Sequence, residues 1–290
     1  MNSPILKTGA RFRITTPHGR SGWGLNLILN SAKDLMASGF NAEPEPILGQ
    51  SILEVDPTQT GVQAPLPNMV MESSRTLAPP KMERVNDQTC KVTYRTEYTF
   101  RNNAATQANI SEIGFANLNR ALFKDEDGVA KAWPVADQER VLVEMEFVIV
   151  MSTPAAATSI DVVDNNGTVV DTIAVTMTTM FDPTQTAVWW KLLSPNESVQ
   201  GINLVMDTNW NGFGLPLPEN VLPASVATSY EYVDRNIAVD LEHVGAVGGQ
   251  TIKGYYLTLA GKPPYICAVF DKPLTIGGNY TFKSTLSIDW

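Results

Sequence analysis

The chain carries only two histidines, His18 and His243. His18 sits in the loop-like run Thr16-Pro17-His18-Gly19, and His243 follows the strand-like run Ile237–Leu241. Neither has a second histidine four residues away, and the two cysteines, Cys90 and Cys267, stand far apart rather than at a metal-binding spacing. A zinc site therefore has no pattern behind it. No Gly-x-Ser-x-Gly turn or phosphate-cradling glycine loop is present, so the two commonest signatures of serine hydrolases and nucleotide enzymes are missing. The expectation is a protein with no cofactor, no metal and no catalytic residues.

Carboxylates are plentiful, and two arrangements merit chemical consideration. Glu144 and Glu146 alternate with Val143, Met145 and Phe147, which puts both acids on one side of a strand, opposite the apolar side. A glycosidase needs two carboxylates facing each other across a cleft, and two neighbours on one strand read instead as a solvated face. Asp161, Asp164 and Asp171 flank the turn Asp164-Asn165-Asn166-Gly167 without the spacing of a calcium loop. Aromatic residues offer one further chemistry. Trp189-Trp190 and Trp210-Asn211-Gly212-Phe213 are candidates for a sugar-stacking platform, with Trp210 and Phe213 as the glycan-binding residues. Packing in a core or interface is the competing role for such rings.

The elements that would position these residues are strands. Val92, Tyr94, Thr96, Tyr98 and Phe100 fall on one face of a period-two run, as do Val141, Val143, Met145, Phe147 and Ile149. Ile173, Val175 and Met177 alternate, as do Tyr255, Leu257 and Leu259, and the C-terminal run alternates from Tyr280 to Trp290. Alternation rich in β-branched and aromatic residues predicts half-buried strands. The runs are punctuated by Asp125-Glu126-Asp127-Gly128, by Asp164–Gly167, by Gly248-Gly249 and by Gly277-Gly278-Asn279, which are turn-forming combinations. Ten to twelve short strands with almost no helical periodicity predict an all-β fold, an antiparallel β-sandwich or jelly-roll-like body over residues 86–290.

Residues 1–85 read differently. Seven of the 19 prolines lie between Asn41 and Val85, and proline excludes helix interiors and central strands. The same stretch is rich in apolar residues, including Ile47, Leu48, Leu66, Met69 and Val70. The expectation is an extended N-terminal arm lying on the body or on a neighbouring copy, with at most one short helix, capped by Ser31 and ended by Gly39. Residues 1–33 hold Lys7, Arg11, Arg13, Arg20 and Lys33 and no acid, a local charge of +5 that leaves −14 for the remainder of a chain of net charge −9. Such a start suits pairing with an acidic surface, its own or a neighbour's. Arg11, Arg13, Ile47, Leu48, Leu66, Met69 and Val70 are thus the candidate interface residues.

Composition excludes other classes. The chain is 43% hydrophobic and 18% charged, too apolar for charge-driven disorder, and no apolar run approaches a membrane span. The acidic balance argues against nucleic acid and anionic lipid as partners. The N-terminal residues lack the pattern of a secretory signal, and the two cysteines are expected to be buried free thiols, so synthesis in a reducing cytoplasm is expected.

One region carries a resemblance. From residue 90 to 150 the chain runs strand Val92–Phe100, Asn102-Asn103, then Ile110-Ser111-Glu112-Ile113-Gly114-Phe115, Asn119-Arg120-Ala121-Leu122-Phe123, the acidic turn ending in Gly128, Trp133-Pro134-Val135 and strand Val141–Val150. These 60 or so residues resemble a pattern of virion structural proteins of tailed bacteriophages, in tail, neck or collar, and baseplate components. The resemblance implies a sheet meander and a non-enzymatic protein, made in the host bacterial cytoplasm and placed in the virion. It also implies self-assembly as a ring or sleeve, with copies of itself and other phage structural proteins as partners. Within that pattern Glu112 is expected to hydrogen-bond in its turn or to pair with Arg120. A host-surface glycan-binding module is the alternative, and a glycan-degrading virion enzyme a third.

Overall fold

In the computed structural model the described residues are 5–29, 45–115, 118–153, 158–180, 199–223, 230–233, 236–244, 249–259, 262–278 and 280–289. They form strands β1 (Ile5–Thr16), β2 (Gly19–Arg20), β3 (Gly24–Ile28), β4 (Pro46–Gly49), β5 (Met69–Asn86), β6 (Thr89–Asn102), β7 (Ala108–Ile110), β8 (Glu112–Phe115), β9 (Asn119–Leu122) and β10 (Trp133–Val135). The second half adds β11 (Arg140–Ser152), β12 (Thr158–Asp164), β13 (Val169–Met180), β14 (Val199–Val205), β15 (Val221–Pro223), β16 (Tyr230–Val233), β17 (Asn236–Val244), β18 (Gln250–Leu259), β19 (Lys262–Ile276) and β20 (Tyr280–Asp289). Among the described residues the only helical element is a single 3-10 turn, Pro218–Asn220. The all-β expectation holds: the strands make two curled antiparallel sheets, half-barrels in shape.

The strands are more numerous and longer than the alternation suggests, with β5 reaching 18 residues and β19 15. The expected boundary between arm and body at residue 85 is not a boundary of the compact units. The chain forms two compact units, one of residues 1–7, 82–92 and 150–290 and the other of residues 8–81 and 93–149. Residues 8–81 supply strands to the second unit, and Phe12 and Ile14 of β1 are fully buried there. Prolines did not prevent this, because Pro46 and Pro79-Pro80 are accommodated within β4 and β5. The short helix expected around Ser31–Gly39 lies outside the described residues, as do Trp189 and Trp190.

In the unit of residues 8–81 and 93–149, pairing runs β1–β3–β9–β8–β4, all antiparallel, with β2 folded back on β1. β7 and β10 form a separate pair. The odd-numbered face of β11, from Val141 to Ile149, is buried as the alternation predicts, and so are Tyr94, Tyr98 and Phe100 of β6. Phe115 joins the core, its ring 5.8 Å from Phe12 and 6.0 Å from Tyr98 between centroids, distances at which aromatic pairs attract beyond simple area burial.

In the other unit, pairing runs β16–β17–β20–β12–β13–β19–β18–β14–β15 without a parallel step. Ile173, Val175 and Met177 are buried, and Tyr255 meets Phe270 edge-on at 6.2 Å. The predicted hairpin turn joins β12 to β13. The Asp164 carboxylate accepts from the Asn166 and Thr168 amides, both at 2.9 Å, and Gly167 takes φ +79°, the left-handed region that glycine enters without a steric cost. The Thr168 amide is the main reason the Asp164 pKa lies below its ordinary value.

Candidate functional site

The residues with chemical potential fall into three groups. The first is a buried ion pair in the unit of residues 8–81 and 93–149. Glu112 opens β8 and Arg120 lies in β9, two strands paired Glu112↔Leu122 and Ile113↔Ala121. Both side chains are fully buried, with Arg120 Nε 2.5 Å from Glu112 Oε2. Three backbone amides of one loop also donate to this carboxylate: Ser51 and Ala64 to Oε1 at 3.1 and 2.9 Å, and Gln63 to Oε2 at 3.2 Å. Arg120 Nη1 donates to the Glu54 carbonyl at 3.2 Å and to Gln59 Oε1 at 2.9 Å. A buried charge is tolerated only when paired and hydrogen-bonded, and here residues 51–64 supply most of the pairing.

The motif around this pair has a steric logic. A Cβ on Gly49 would lie 2.8 Å from the Ala64 carbonyl and would strike Val62 and Glu112, and one on Gly114 would strike the Asn119 carbonyl. Asn119 Oδ1 accepts from the Phe115 amide at 2.8 Å, which ties the end of β8 to the start of β9. Ile110-Ser111-Glu112-Ile113-Gly114 and Asn119-Arg120 are therefore the two halves of one buried clamp. Of the two expectations for Glu112, the pairing with Arg120 is realised, whereas its amide donors come from residues 51–64 and not from its own turn. Legible in sequence were the acid and the base; missed was the covering loop, whose donors are backbone amides and leave no residue-type signal.

The second group is a charged lattice on the same unit. Arg11 and Arg13 alternate in β1 with buried Phe12 and Ile14. Arg11 reaches Glu146 at 2.7 Å, Arg13 reaches Glu144 at 2.5 Å, Arg20 also pairs with Glu144, and Arg95 reaches Glu146 at 2.6 Å. The Trp23 ring lies under both guanidinia, 4.6 Å from Arg11 and 4.4 Å from Arg13, a distance at which cation–π attraction operates. The basic N-terminal stretch thus pairs with an acidic surface of its own chain. Glu144 and Glu146 are not a freely solvated face, since arginines cover them. Burial pushes the Glu144 pKa up, but the hydrogen bonds and charges of Arg13 and Arg20 outweigh it, so the net shift is downward. A glycosidase acid needs the opposite shift.

The remaining candidate interface residues divide by exposure. Leu48 and Met69 are buried in the unit's own core, Leu66 is half-buried, and Ile47 and Val70 are 38% and 43% exposed. His18 stands 3.5 Å from Glu139 at an exposed position.

The third group belongs to the other unit. Trp210 is buried against Val205, Tyr256 and Cys267, and its Nε1 donates to the Gly214 carbonyl at 2.8 Å. Its ring is a core element, closed off from a ligand. Thr178 Oγ1 donates to the Gly212 carbonyl at 3.2 Å, and Gly212 has φ +81°. Phe213, 38% exposed, lies beneath the Arg84 guanidinium at 3.7 Å. The two residues proposed for glycan stacking therefore have different fates. Trp210 shapes the loop, and Phe213 sits on its surface under a cation. Cys90 and Cys267 are free and buried. Burial pushes the Cys90 thiol up to about 12 and raises Cys267 further. His243 is buried, with Nε2 3.1 Å from Gln250 Oε1. Among the described residues no group of three acidic, histidine or cysteine side chains is placed to hold a metal ion, and no helix is long and apolar enough to cross a membrane.

No family model matches the chain, and searches of curated proteins and of solved structures find no match.

Proposed function

We propose that this chain is a non-enzymatic structural protein of a tailed-phage virion that assembles with copies of itself as a ring or sleeve in the tail, neck or collar, or baseplate. In this reading the two half-barrel sheets belong to a sandwich or jelly-roll-like body, and the proline-rich stretch 41–85 provides surface for neighbouring subunits. One observation carries it. Residues 46–80 are tied into their own unit by β4, by β5 and by the Glu112 clamp, yet they leave Ile47, Ile52, Leu53, Val70 and Leu77 between 38% and 62% exposed. A rigidly held segment that presents apolar side chains to water suits a surface covered in an assembly. The chain's acids and bases support the same reading, because Glu112, Arg120, Glu144 and Glu146 are engaged with one another or with backbone.

Light scattering on the size-separated full chain, with electron microscopy of the same sample, tests this. The expected outcome is a discrete oligomer with closed symmetry that Ile52→Asp with Leu53→Asp dissociates or weakens at unchanged circular dichroism. A chain that stays monomeric at the highest attainable concentration overturns the proposal. Deleting residues 1–85 is not informative, since it removes five strands of the fold.

A further inference from the structure

The charged lattice of the unit of residues 8–81 and 93–149 lies on one outer sheet face. Arg140, Glu144 and Glu146 take even positions of β11, opposite the buried odd positions Val141 to Ile149. Arg95, Glu97 and Arg101 take odd positions of β6, opposite buried Tyr94, Tyr98 and Phe100. β5 adds Glu72, which bridges Arg101 at 2.5 Å and Arg140 at 2.6 Å, and Arg75, which reaches Glu97 at 2.7 Å. With Arg11, Arg13 and Arg20, seven arginines meet four glutamates. The face therefore carries +3 in a chain of net charge −9, which leaves −12 for the rest of the molecule. Depth sorts the two signs. The four glutamate side chains are 10–28% exposed and the seven arginine side chains 25–70%, so the acids lie beneath and guanidinia form the outer layer.

Apolar side chains interrupt this layer. Leu25 stands directly opposite Arg11 in the pairing of β1 with β3, hence on the same face, and is 78% exposed. Leu142, the even position of β11 between Arg140 and Glu144, is exposed as well. Arginines held by buried carboxylates, with Trp23 and leucines among them, match the composition of a protein–protein contact. A polyanion track needs uncompensated charge along its length instead. A matching surface exists on the chain itself. Asp125-Glu126-Asp127 is the one run of three consecutive acids in the sequence. Asp125 Oδ1 accepts from the Asp127 and Val129 amides at 3.1 and 2.9 Å, which fixes the turn. Glu126 and Asp127 stay exposed on it, beside Val129 at 60%.

We propose that the arginine face of β1, β6 and β11 docks a second copy of this chain through that copy's Asp125–Val129 turn. Guanidinia receive Glu126 and Asp127, and Leu25 and Val129 supply the apolar part of the contact. This contact rests on the reading of the chain as self-assembling and names the surface that joins subunits. Two copies of net charge −9 repel over most of their surface. Approach is directed to the face where the sign reverses, and charge complementarity of this kind selects which surfaces meet.

Light scattering on the full chain, with circular dichroism as the check on folding, tests it. Raising sodium chloride from about 50 to about 500 mM screens exposed charges and should raise the dissociation constant of the oligomer about tenfold or more. Leu25→Glu puts an acid on the face at a position that packs nothing, and Glu126→Lys with Asp127→Lys reverses the turn. Each should weaken association by a similar factor. Mixing the two variants joins the intact face of one to the intact turn of the other and should restore a pair that neither forms alone. Suppose the chain is oligomeric but salt and both variants leave the oligomer unchanged. That result overturns the docking on the arginine face and leaves self-assembly standing. If Leu25→Glu instead releases the full chain from a heparin column while its oligomer stays intact, the face takes a polyanion and the contact between copies is overturned. A chain monomeric at every concentration overturns both.

Discussion

Replacing Glu112 with Gln keeps the size and shape of the side chain and removes its charge. Four donors converge on this carboxylate: Arg120 Nε and the amides of Ser51, Gln63 and Ala64. In the variant the Arg120 guanidinium, fully buried, loses its counter-charge. One carboxylate oxygen becomes an NH2 group aimed at donors. Breaking a buried pair from one side costs about 3–5 kcal/mol, and each orphaned buried amide adds about 1–3 kcal/mol. Against a net stability of about 5–15 kcal/mol for a typical protein, the loss is large. It should be concentrated in one unit, since all the groups involved lie within residues 8–81 and 93–149. Hydrogen exchange read by mass spectrometry resolves it. Peptides covering residues 50–66 and 110–123 should exchange at least a hundredfold faster in Glu112→Gln, and protease should cut within 51–64. Arg120→Met leaves Glu112 with its three amides but no cation and should cost a similar amount. The double variant Glu112→Gln/Arg120→Met removes both charges, so its cost should fall short of the sum of the singles by about 2–3 kcal/mol, a coupling typical of residues in contact. An effect of Glu112→Gln below about 1 kcal/mol, or strict additivity in the double variant, refutes the clamp as the element holding residues 51–64 in place.

Three further outcomes are expected. Glu144 has its pKa held below the ordinary 4.5 by Arg13 and Arg20, so it contributes stability above that value and loses it as pH falls through the lowered folded value. Glu144→Gln should cost about 1 kcal/mol at pH 7, a modest figure for a partly exposed pair, and should shrink the loss of stability between about pH 5 and 3 in acid titrations followed by circular dichroism. Cys90 and Cys267 should react with a thiol reagent only on unfolding, because burial keeps both protonated; rapid modification of the native chain contradicts their placement. Trp210→Phe keeps the ring in the core but deletes the bond to the Gly214 carbonyl, so it should cost about 1–2 kcal/mol in urea unfolding. An intact Trp210 should give no fluorescence response to soluble glycans.

The alternating runs made the strands β6, β11 and β13 readable, because a period of two sends one set of side chains inward whatever the topology. The turn at Asp164–Gly167 was equally readable, since its hydrogen bonds are local. The sheet membership of residues 8–81 was not readable, for the opposite reason. Proline density describes local backbone preference, while membership of a sheet depends on distant partners: β4 pairs with β8 some 65 residues later, Ile47 facing Gly114. The same distance hid the arginine lattice, where Arg11 and Arg13 meet Glu146 and Glu144 more than 130 residues on.

The sequence by itself determined the all-β class, the strand faces, the turns and the candidate partners Glu112 and Arg120, all set by residue type and short-range spacing. Only the tertiary structure decided that those two are buried together under residues 51–64, that Trp210 belongs to the core, and that Glu144 and Glu146 are covered by arginines. Each of these outcomes follows from burial and from the meeting of segments far apart along the chain. Burial turns a carboxylate's solvation into a cost that specific donors must offset, and residue spacing alone does not say which donors will be there.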